Sequence, residues 1–488
     1  MVLYILIEVA FIKNISCLLF SFCLRMMSNG DSQSISLKVL VDKDKNRVVC
    51  VESNEDFVDV LFSFMTMPLG NFIRVAREHS IEDHFGCLNN LYESVENLDE
   101  KHLQSVKCKD MLLRPRSAAE IYCMNLKLNF VNSDTNEYYM CYYDHCFGPY
   151  YNARCHCGRV MGCARNLEVQ GHVPPDGGVF VNPTARLMIT DDFHVKPIST
   201  TSILALLSKF EATDSSTREE RTINIGRDKV MKLLSCSLTT RAPFSEIILE
   251  PAIDKSSFDI CHEKYGPRSM NQLQRAVDAT KNETKTTLNL IIRKSSNRAL
   301  YAEANEDFVN LIGSFLTYPL GYIFEKLPCL SLRGCLDNMY KSIQDLDAKK
   351  FLKSEEIKAI LVNPKLARGL ALHNQLISIE EASYPSHSTA SSLFNISSGG
   401  GLTRPVEAIT GNGFFRGPFL VTDDLTIMPL SLMSIVCFMD RFNISHSDIL
   451  EQEVTIGVEE ALCLLGAALV SKTALTDVFI LKESKQEL

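Results

Sequence analysis

The sequence predicts an α+β fold built twice in tandem. Three observations carry that expectation: a long internal repeat, a β-hairpin pattern at the head of each copy, and helix-period apolar residues directly after it. Asn46–Gly70 reads NRVVCVESNEDFVDVLFSFMTMPLG and Asn297–Gly321 reads NRALYAEANEDFVNLIGSFLTYPLG, identical at 14 of 25 positions at an offset of 251. A second block, CLNNLYESVENLD from Cys87 and CLDNMYKSIQDLD from Cys335, matches at 7 of 13 positions at an offset of 248, so the second copy has lost three residues in between. Self-similarity on this scale is the mark of duplicated structural units.

The hairpin comes first. Ser36–Val41 alternates apolar and polar residues, Asp42–Asn46 supplies turn formers, and Arg47–Val51 is a second β-rich run. Asn54-Glu55-Asp56 then reads as a helix start, with Asn as cap and the acids at the positive helix end. Phe57, Val60, Leu61 and Phe64 share one helical face, and Pro68 and Gly70 end or bend it. Leu88, Leu91, Tyr92 and Val95 mark another amphipathic helix. Strands are expected near Lys127–Asn129 and Arg186–Thr190, and helices over Ser202–Phe210 and Asp228–Ser237. Mixed element order with antiparallel hairpins argues for α+β over a doubly wound sheet.

Fainter similarity continues: ITDDFHVKPIS from Ile189 pairs with VTDDLTIMPLS from Val421, and the stretch after Ile225-Gly226 pairs with that after Ile456-Gly457. The expected organisation is therefore an apolar extension and polar tail over 1–35, a first module over 36–250, a polar linker over 251–286 and a second module over 287–482. Each module is long enough to bury its own core. The first carries a cysteine-rich hairpin over 138–163. In its place the second has the Ser-, Gly- and Ala-rich run from Glu380 to Gly401, expected as a flexible loop.

Bulk composition excludes some classes. Hydrophobic residues make up 46% and charged residues 22%, as in ordinary globular proteins. The net charge of −9 gives no strong case for nucleic acid. The 17 cysteines are mostly scattered singly, the habit of small buried hydrophobes in a reducing compartment, so a cytoplasmic or nuclear location is expected. Residues 2–24 are strongly apolar, but Glu8 and Lys13 interrupt them and no basic segment precedes them. A membrane anchor, a cleaved targeting segment and a non-native extension ahead of Met26 or Met27 compete there, and the last is favoured.

The best chemical candidate is YYMCYYDHCFGPYYNARCHCGRVMGC, Tyr138–Cys163. Cys141, Cys146, Cys155 and Cys157 form two pairs, and four thiolates in a tetrahedron suit zinc. The C-x4-C and C-x-C spacings depart from the usual C-x2-C, and a C-x-C pair has little room to aim both sulfurs at one ion. His145, His156 and Cys163 are the substitutes. A hairpin turning at Gly148-Pro149 would bring the pairs face to face. Zinc here would be structural, since protein fills all four positions; inert thiols in a tyrosine-rich hairpin are the competing reading. The acidic pairs Asp191/Asp192 and Asp423/Asp424 could serve acid–base work, but Asp in such clusters more often bonds its own backbone, and a turn is favoured. Basic residues gather over Lys101–Arg116, read as a solvated face. No phosphate-binding G-x-x-x-x-G-K-[ST], H-E-x-x-H or G-x-S-x-G motif occurs.

Taken together, the hairpin followed by NEDFVDVLFSFMTMPLG, the CLNNLYESVENLD helix, the tyrosine–cysteine segment and the TDD-x4-P segment resemble the plant family called domain of unknown function 674, over about 36–482 in two copies. The resemblance implies a plant source and duplicated modules, and no agreed activity or catalytic residues. The second copy departs from the pattern by lacking the cysteines. The expected function is a soluble, non-catalytic interaction or regulatory protein with protein partners. The alternatives are an enzyme with an inter-module site built from Asp or Cys, and a membrane-anchored protein held by residues 2–24.

Overall fold

The computed structural model describes residues 33–78, 85–128, 137–155, 157–169, 177–209, 217–249, 285–328, 330, 334–373, 375–383, 394–398 and 413–481. The apolar run 2–24 and most of the expected linker lie outside them.

Both helices and antiparallel sheets are present, so the fold is α+β. Each copy opens with the expected hairpin: β1 (Ile35–Asp42) and β2 (Arg47–Ser53) in the first, β9 (Thr286–Arg293) and β10 (Arg298–Ala304) in the second. Alternation turns Ile35, Leu37, Val39 and Val41 inward. The turns place Asn46 and Asn297 at φ 43° and 48°, which asparagine tolerates better than most residues. In the first copy β6 (Leu187–Thr190), β7 (Val195–Pro197) and β8 (Arg218–Ile225) complete a sheet ordered β7-β6-β2-β1-β8. In the second, β12 (Phe419–Thr422), β13 (Ile427–Pro429) and β14 (Ile449–Ile456) give β13-β12-β10-β9-β14, the same order. On one face of each sheet lies a helix, Thr200–Lys209 or Leu432–Arg441, packed through Leu206 and through Ile435 and Phe438.

The helix after each hairpin spans Glu55–Ser63 and Glu306–Ser314. Asn305 caps as expected, accepting from the Phe308 N–H at 3.0 Å, whereas the Asn54 side chain makes no cap and donates to Asp56 at 3.0 Å. No strand forms at Lys127 and Leu128; Lys127 instead reaches the Asp56 carboxylate at 2.9 Å. The Ser- and Gly-rich run is not simply a loop. Its residues Phe394–Ser398 form β11, pairing with β5 (Cys163–Val169) from Phe394 opposite Val169 to Ser398 opposite Arg165. With β3 (Glu137–Met140) and β4 (Phe147–Gly148) they make a third sheet, β11-β5-β3-β4, drawn from both copies.

The copies are woven through each other. Pro68 and Pro319 lie opposite one another, with the Leu69 N–H donating to the Tyr318 carbonyl at 3.0 Å and the Leu320 N–H to the Met67 carbonyl at 3.1 Å. These equivalent residues of the two Pro-Leu-Gly motifs meet at the centre of an approximate two-fold arrangement. Further out the exchange is reciprocal. From helix Leu88–Asn97, Asn90 donates to the Asp424 carbonyl at 3.2 Å and Ser94 accepts from the Ile427 N–H at 3.0 Å. From helix Leu336–Asp345, Asn338 donates to the Asp192 carbonyl at 2.9 Å and Ser342 accepts from the Val195 N–H at 3.1 Å. One continuous apolar core runs from Ile35 to Ile480 through both copies. Duplication supplied equivalent complementary surfaces, and helices Leu88–Asn97 and Leu336–Asp345 each close the other copy's sheet.

The crossing explains the glycines after both Pro-Leu pairs. A Cβ at Gly321 would stand 2.5 Å from the Leu361 carbonyl oxygen and 3.1 Å from that of Met65, both backbone atoms. Gly321→Ala is expected to cost about 2–3 kcal/mol, because neither backbone can give way; urea denaturation measures it.

Candidate metal centre

Two tight turns build the site. After β3 the chain reverses through Cys141–Cys146, where the Cys141 N–H donates to the Cys146 carbonyl at 3.0 Å, the His145 N–H to the Cys141 carbonyl at 3.0 Å, and His145 sits at φ 47°. The second turn follows from Ala153: Arg154 pairs with Val160, the Cys155 N–H donates to the Arg159 carbonyl at 2.7 Å, and Gly158 closes the loop at φ 79°. The pairs are thus presented by separate turns. Gly148 lies in β4 and makes no turn between the pairs, a correction to the sequence expectation.

The cysteine sulfurs gather in two overlapping groups. Cys146 Sγ lies 2.9 Å from Cys155 Sγ, and Cys141 Sγ lies 3.5 Å from Cys157 Sγ. The sulfurs of Cys141, Cys155 and Cys157 all fall within 4.8 Å of one another, as do those of Cys146 and Cys155 with an Asp144 carboxylate oxygen, so Cys155 is common to both groups. Bonds of ~2.3 Å in a tetrahedron put sulfurs about 3.8 Å apart; the Cys141–Cys157 separation is near that value and the Cys146–Cys155 separation is shorter. Cys155 and Cys157 place their sulfurs within 4.8 Å of each other, ahead of the turn at Gly158, with Cys157 exposed. Neither His145 nor Cys163 joins either group; Cys163 sits in β5 opposite Met140. His156 lies outside the described residues. All four cysteines are unbridged thiols.

The surroundings favour anionic sulfur at one position. Burial acts to raise the Cys141 thiol, but the Asp144 and Tyr143 N–H groups and the Cys157 and Cys155 side chains bring it below its ordinary value. Burial and the neighbouring Cys146 raise Cys155. Asp144 accepts from Cys155 at 3.4 Å. From the second copy, Arg368 donates to Cys146 Sγ at 3.3 Å. Within the first turn, Tyr142 and Tyr143 are exposed, and the Arg159 guanidinium stacks 3.7 Å from the Tyr143 ring centroid.

The acidic pairs lie elsewhere and are occupied by the backbone. Asp191 is buried and accepts from the Ser245 N–H at 3.0 Å, the Ser245 hydroxyl at 2.5 Å and Arg47 at 3.2 Å; Ser245 in turn accepts from the Val48 N–H at 2.8 Å. Asp423 repeats this with the Thr476 N–H at 2.8 Å and hydroxyl at 2.7 Å, and Thr476 accepts from the Ala299 N–H at 3.0 Å. Asp192 and Asp424 take the hydroxyls of Thr190 and Thr422 in matching turns. Each first Asp therefore ties the hairpin to the last helical segment of its own copy. The expected basic face is partly internal: Arg116 is paired with Glu120 at 2.6 Å and stacked 4.5 Å over the Tyr138 ring.

Two polar positions escaped the sequence reading. Asp59, inside the first apolar helix, accepts from the N–H groups of Val179, Phe180 (2.8 Å) and Val181 (2.8 Å). Its counterpart Asn310 accepts from those of Phe414 (2.6 Å) and Phe415 (3.2 Å). A polar residue at matching places in two otherwise apolar helix faces was the available signal. Burial pushes Asp59 up to about 7 despite the three N–H groups, and pushes Asp423 up to about 6. Values raised above those of the unfolded chain make the protonated form the stabilising one. That contribution is complete below about pH 4 and is lost as pH rises through 6 and 7. The metal-free chain is expected to lose stability between pH 5 and 8, with Asp59→Asn removing a share on the order of 3 kcal/mol. Urea midpoints at the two pH values check this.

The family model described as Protein of unknown function (DUF674) matches residues 31–459 and again residues 419–488. The chain belongs to the DUF674 family. Its second match begins at β12, where the second copy's Thr-Asp-Asp segment starts, in keeping with a repeated region. No curated protein and no solved structure matches this DUF674 chain. Among its described residues no helix is long and apolar enough to cross a membrane.

Proposed function

We propose that this DUF674 protein is a non-catalytic interaction protein of the plant cytoplasm or nucleus, with a structural zinc ion held by Cys141, Cys146, Cys155 and Cys157. The gathering of Cys141, Cys155 and Cys157 from two separate turns, with Cys146 beside Cys155, carries the reading. Four thiolates leave no open coordination position for a substrate or water. The zinc would fix the turn that exposes Tyr142 and Tyr143, side chains well suited to anchoring a protein partner. The acidic pairs, each engaged by backbone N–H groups and hydroxyls, favour scaffold over acid–base roles. Metal analysis of residues 27–488 tests the proposal. About one zinc per chain is expected, lost in Cys141→Ser and Cys155→Ser; metal-free protein whose melting temperature is unchanged by both substitutions would overturn it.

A further inference from the structure

The cysteines of the centre differ in access. Cys157 is exposed, whereas Cys141, Cys146 and Cys155 are buried. Cys157 lies next to Gly158, where an added Cβ would meet nothing within 4 Å, and Arg154, Arg159 and Val160 of the same turn are exposed with it. A small solute can therefore reach the Cys157 sulfur. Facing that sulfur is Cys141 Sγ, 3.5 Å away and carried by the other turn. Cys155 is engaged elsewhere, with Cys146 Sγ at 2.9 Å and the Asp144 carboxylate at 3.4 Å.

This arrangement suits a two-thiol oxidation. A disulfide bond is about 2.05 Å long, so the two sulfurs need only a modest approach from 3.5 Å, and one of them is on an exposed turn. Thiolate is the form that reacts with peroxides, and a metal-bound cysteine is held as thiolate. A zinc centre of four cysteines thus keeps its sulfurs oxidisable, and exposure selects the one that meets the oxidant first.

We infer that Cys157 and Cys141 are a redox-active pair, closed to a disulfide by hydroperoxides, and that this closure opens the metal centre. First, the Cys157 thiolate attacks a peroxide oxygen: an S–O bond forms, the O–O bond breaks, and hydroxide or alkoxide leaves. The sulfur is oxidised to the sulfenic acid and the peroxide is reduced. The Cys141 thiolate then attacks the Cys157 sulfur: the S–S bond forms, the S–O bond breaks, and hydroxide leaves. Both leaving anions take protons from solvent. Since thiolates are the metal ligands, the disulfide removes both cysteines from the coordination shell. Release of zinc rests on the reading above; the disulfide itself does not. Cys141 and Cys146 bracket Tyr142 and Tyr143, so the step also changes how those side chains are presented. Thiol exchange in a reducing compartment reverses it.

The test uses the full chain, zinc-loaded and again metal-free, as wild type, Cys141→Ser and Cys157→Ser. Each is treated with hydrogen peroxide; zinc is followed with a chromophoric chelator, and disulfides are assigned by fragmentation mass spectrometry. Wild type is expected to release about one zinc per disulfide formed, to carry the link between Cys141 and Cys157, and to recover both thiols under dithiothreitol. Cys141→Ser should stall with a sulfenic acid at Cys157, captured by a cyclic 1,3-dione. Cys157→Ser should lose the link. Wild-type Cys141 and Cys157 left as free thiols would overturn the inference, whether or not the chain holds zinc, and would not touch the zinc reading. A first disulfide between Cys146 and Cys155, or a dione adduct on a buried cysteine ahead of Cys157, would also overturn it. Wild type that holds no zinc yet closes Cys141 to Cys157 would remove the zinc reading and keep the redox pair. If Cys141→Ser does not fold, the position of the wild-type link decides.

Discussion

Neither copy alone, as residues 33–249 or 285–481, is expected to fold to a stable monomer. Helix Leu88–Asn97 would lose the second copy's Asp424 turn and β13, and helix Leu336–Asp345 would lose the first copy's Asp192 turn and β7. The Met67 and Tyr318 carbonyls would lose the amides that cross between copies. A large apolar side chain deprived of burial forfeits roughly 1.5–3 kcal/mol, so a few such losses match the whole net stability of about 5–15 kcal/mol typical of domains. Each half should be insoluble, molten or paired with itself, and co-expression of the two halves should restore one soluble complex. Size-exclusion chromatography and thermal melting distinguish these outcomes. A monomeric half with a cooperative melt would contradict the shared core.

The second large effect belongs to the cysteines. Cys155→Ser is expected to weaken metal binding by at least about 100-fold and to loosen the third sheet selectively, because Cys155 belongs to both sulfur groups and sits beside Cys146. Amides of β3 and β5 should lose hydrogen-exchange protection, while those of β1, β2, β9 and β10 should keep it, since Tyr138, Met140 and Phe147 of the third sheet pack in a small cluster separate from the main core. Cys157→Ser should act in the same direction but less strongly, as that residue is exposed. Equal loss of protection in all three sheets would mean that the cysteines act through general packing.

Much of this fold can be read from the chain because its signals are local. The hairpins follow from alternation at Ser36–Val41, and the helix after each follows from the spacing of Phe57, Val60, Leu61 and Phe64. The cysteine cluster was legible for the same reason, since its members lie close together in the chain. What could not be read is whatever depends on a distant partner. The exchange of Asn90 and Asn338 between copies leaves no local trace, because either helix would look the same packed on its own sheet. β11 is set by its pairing with β5 more than by its composition. Asp59 emerges only when the copies are aligned and their differences are given a location.

Zinc-edge X-ray absorption of the purified chain tests the central claim most directly. Four sulfur neighbours at about 2.3 Å are expected, falling to three in Cys155→Ser if metal is retained. A shell containing imidazole nitrogen or water oxygen, or protein that carries no zinc, would contradict a closed four-cysteine centre between Cys141 and Cys157.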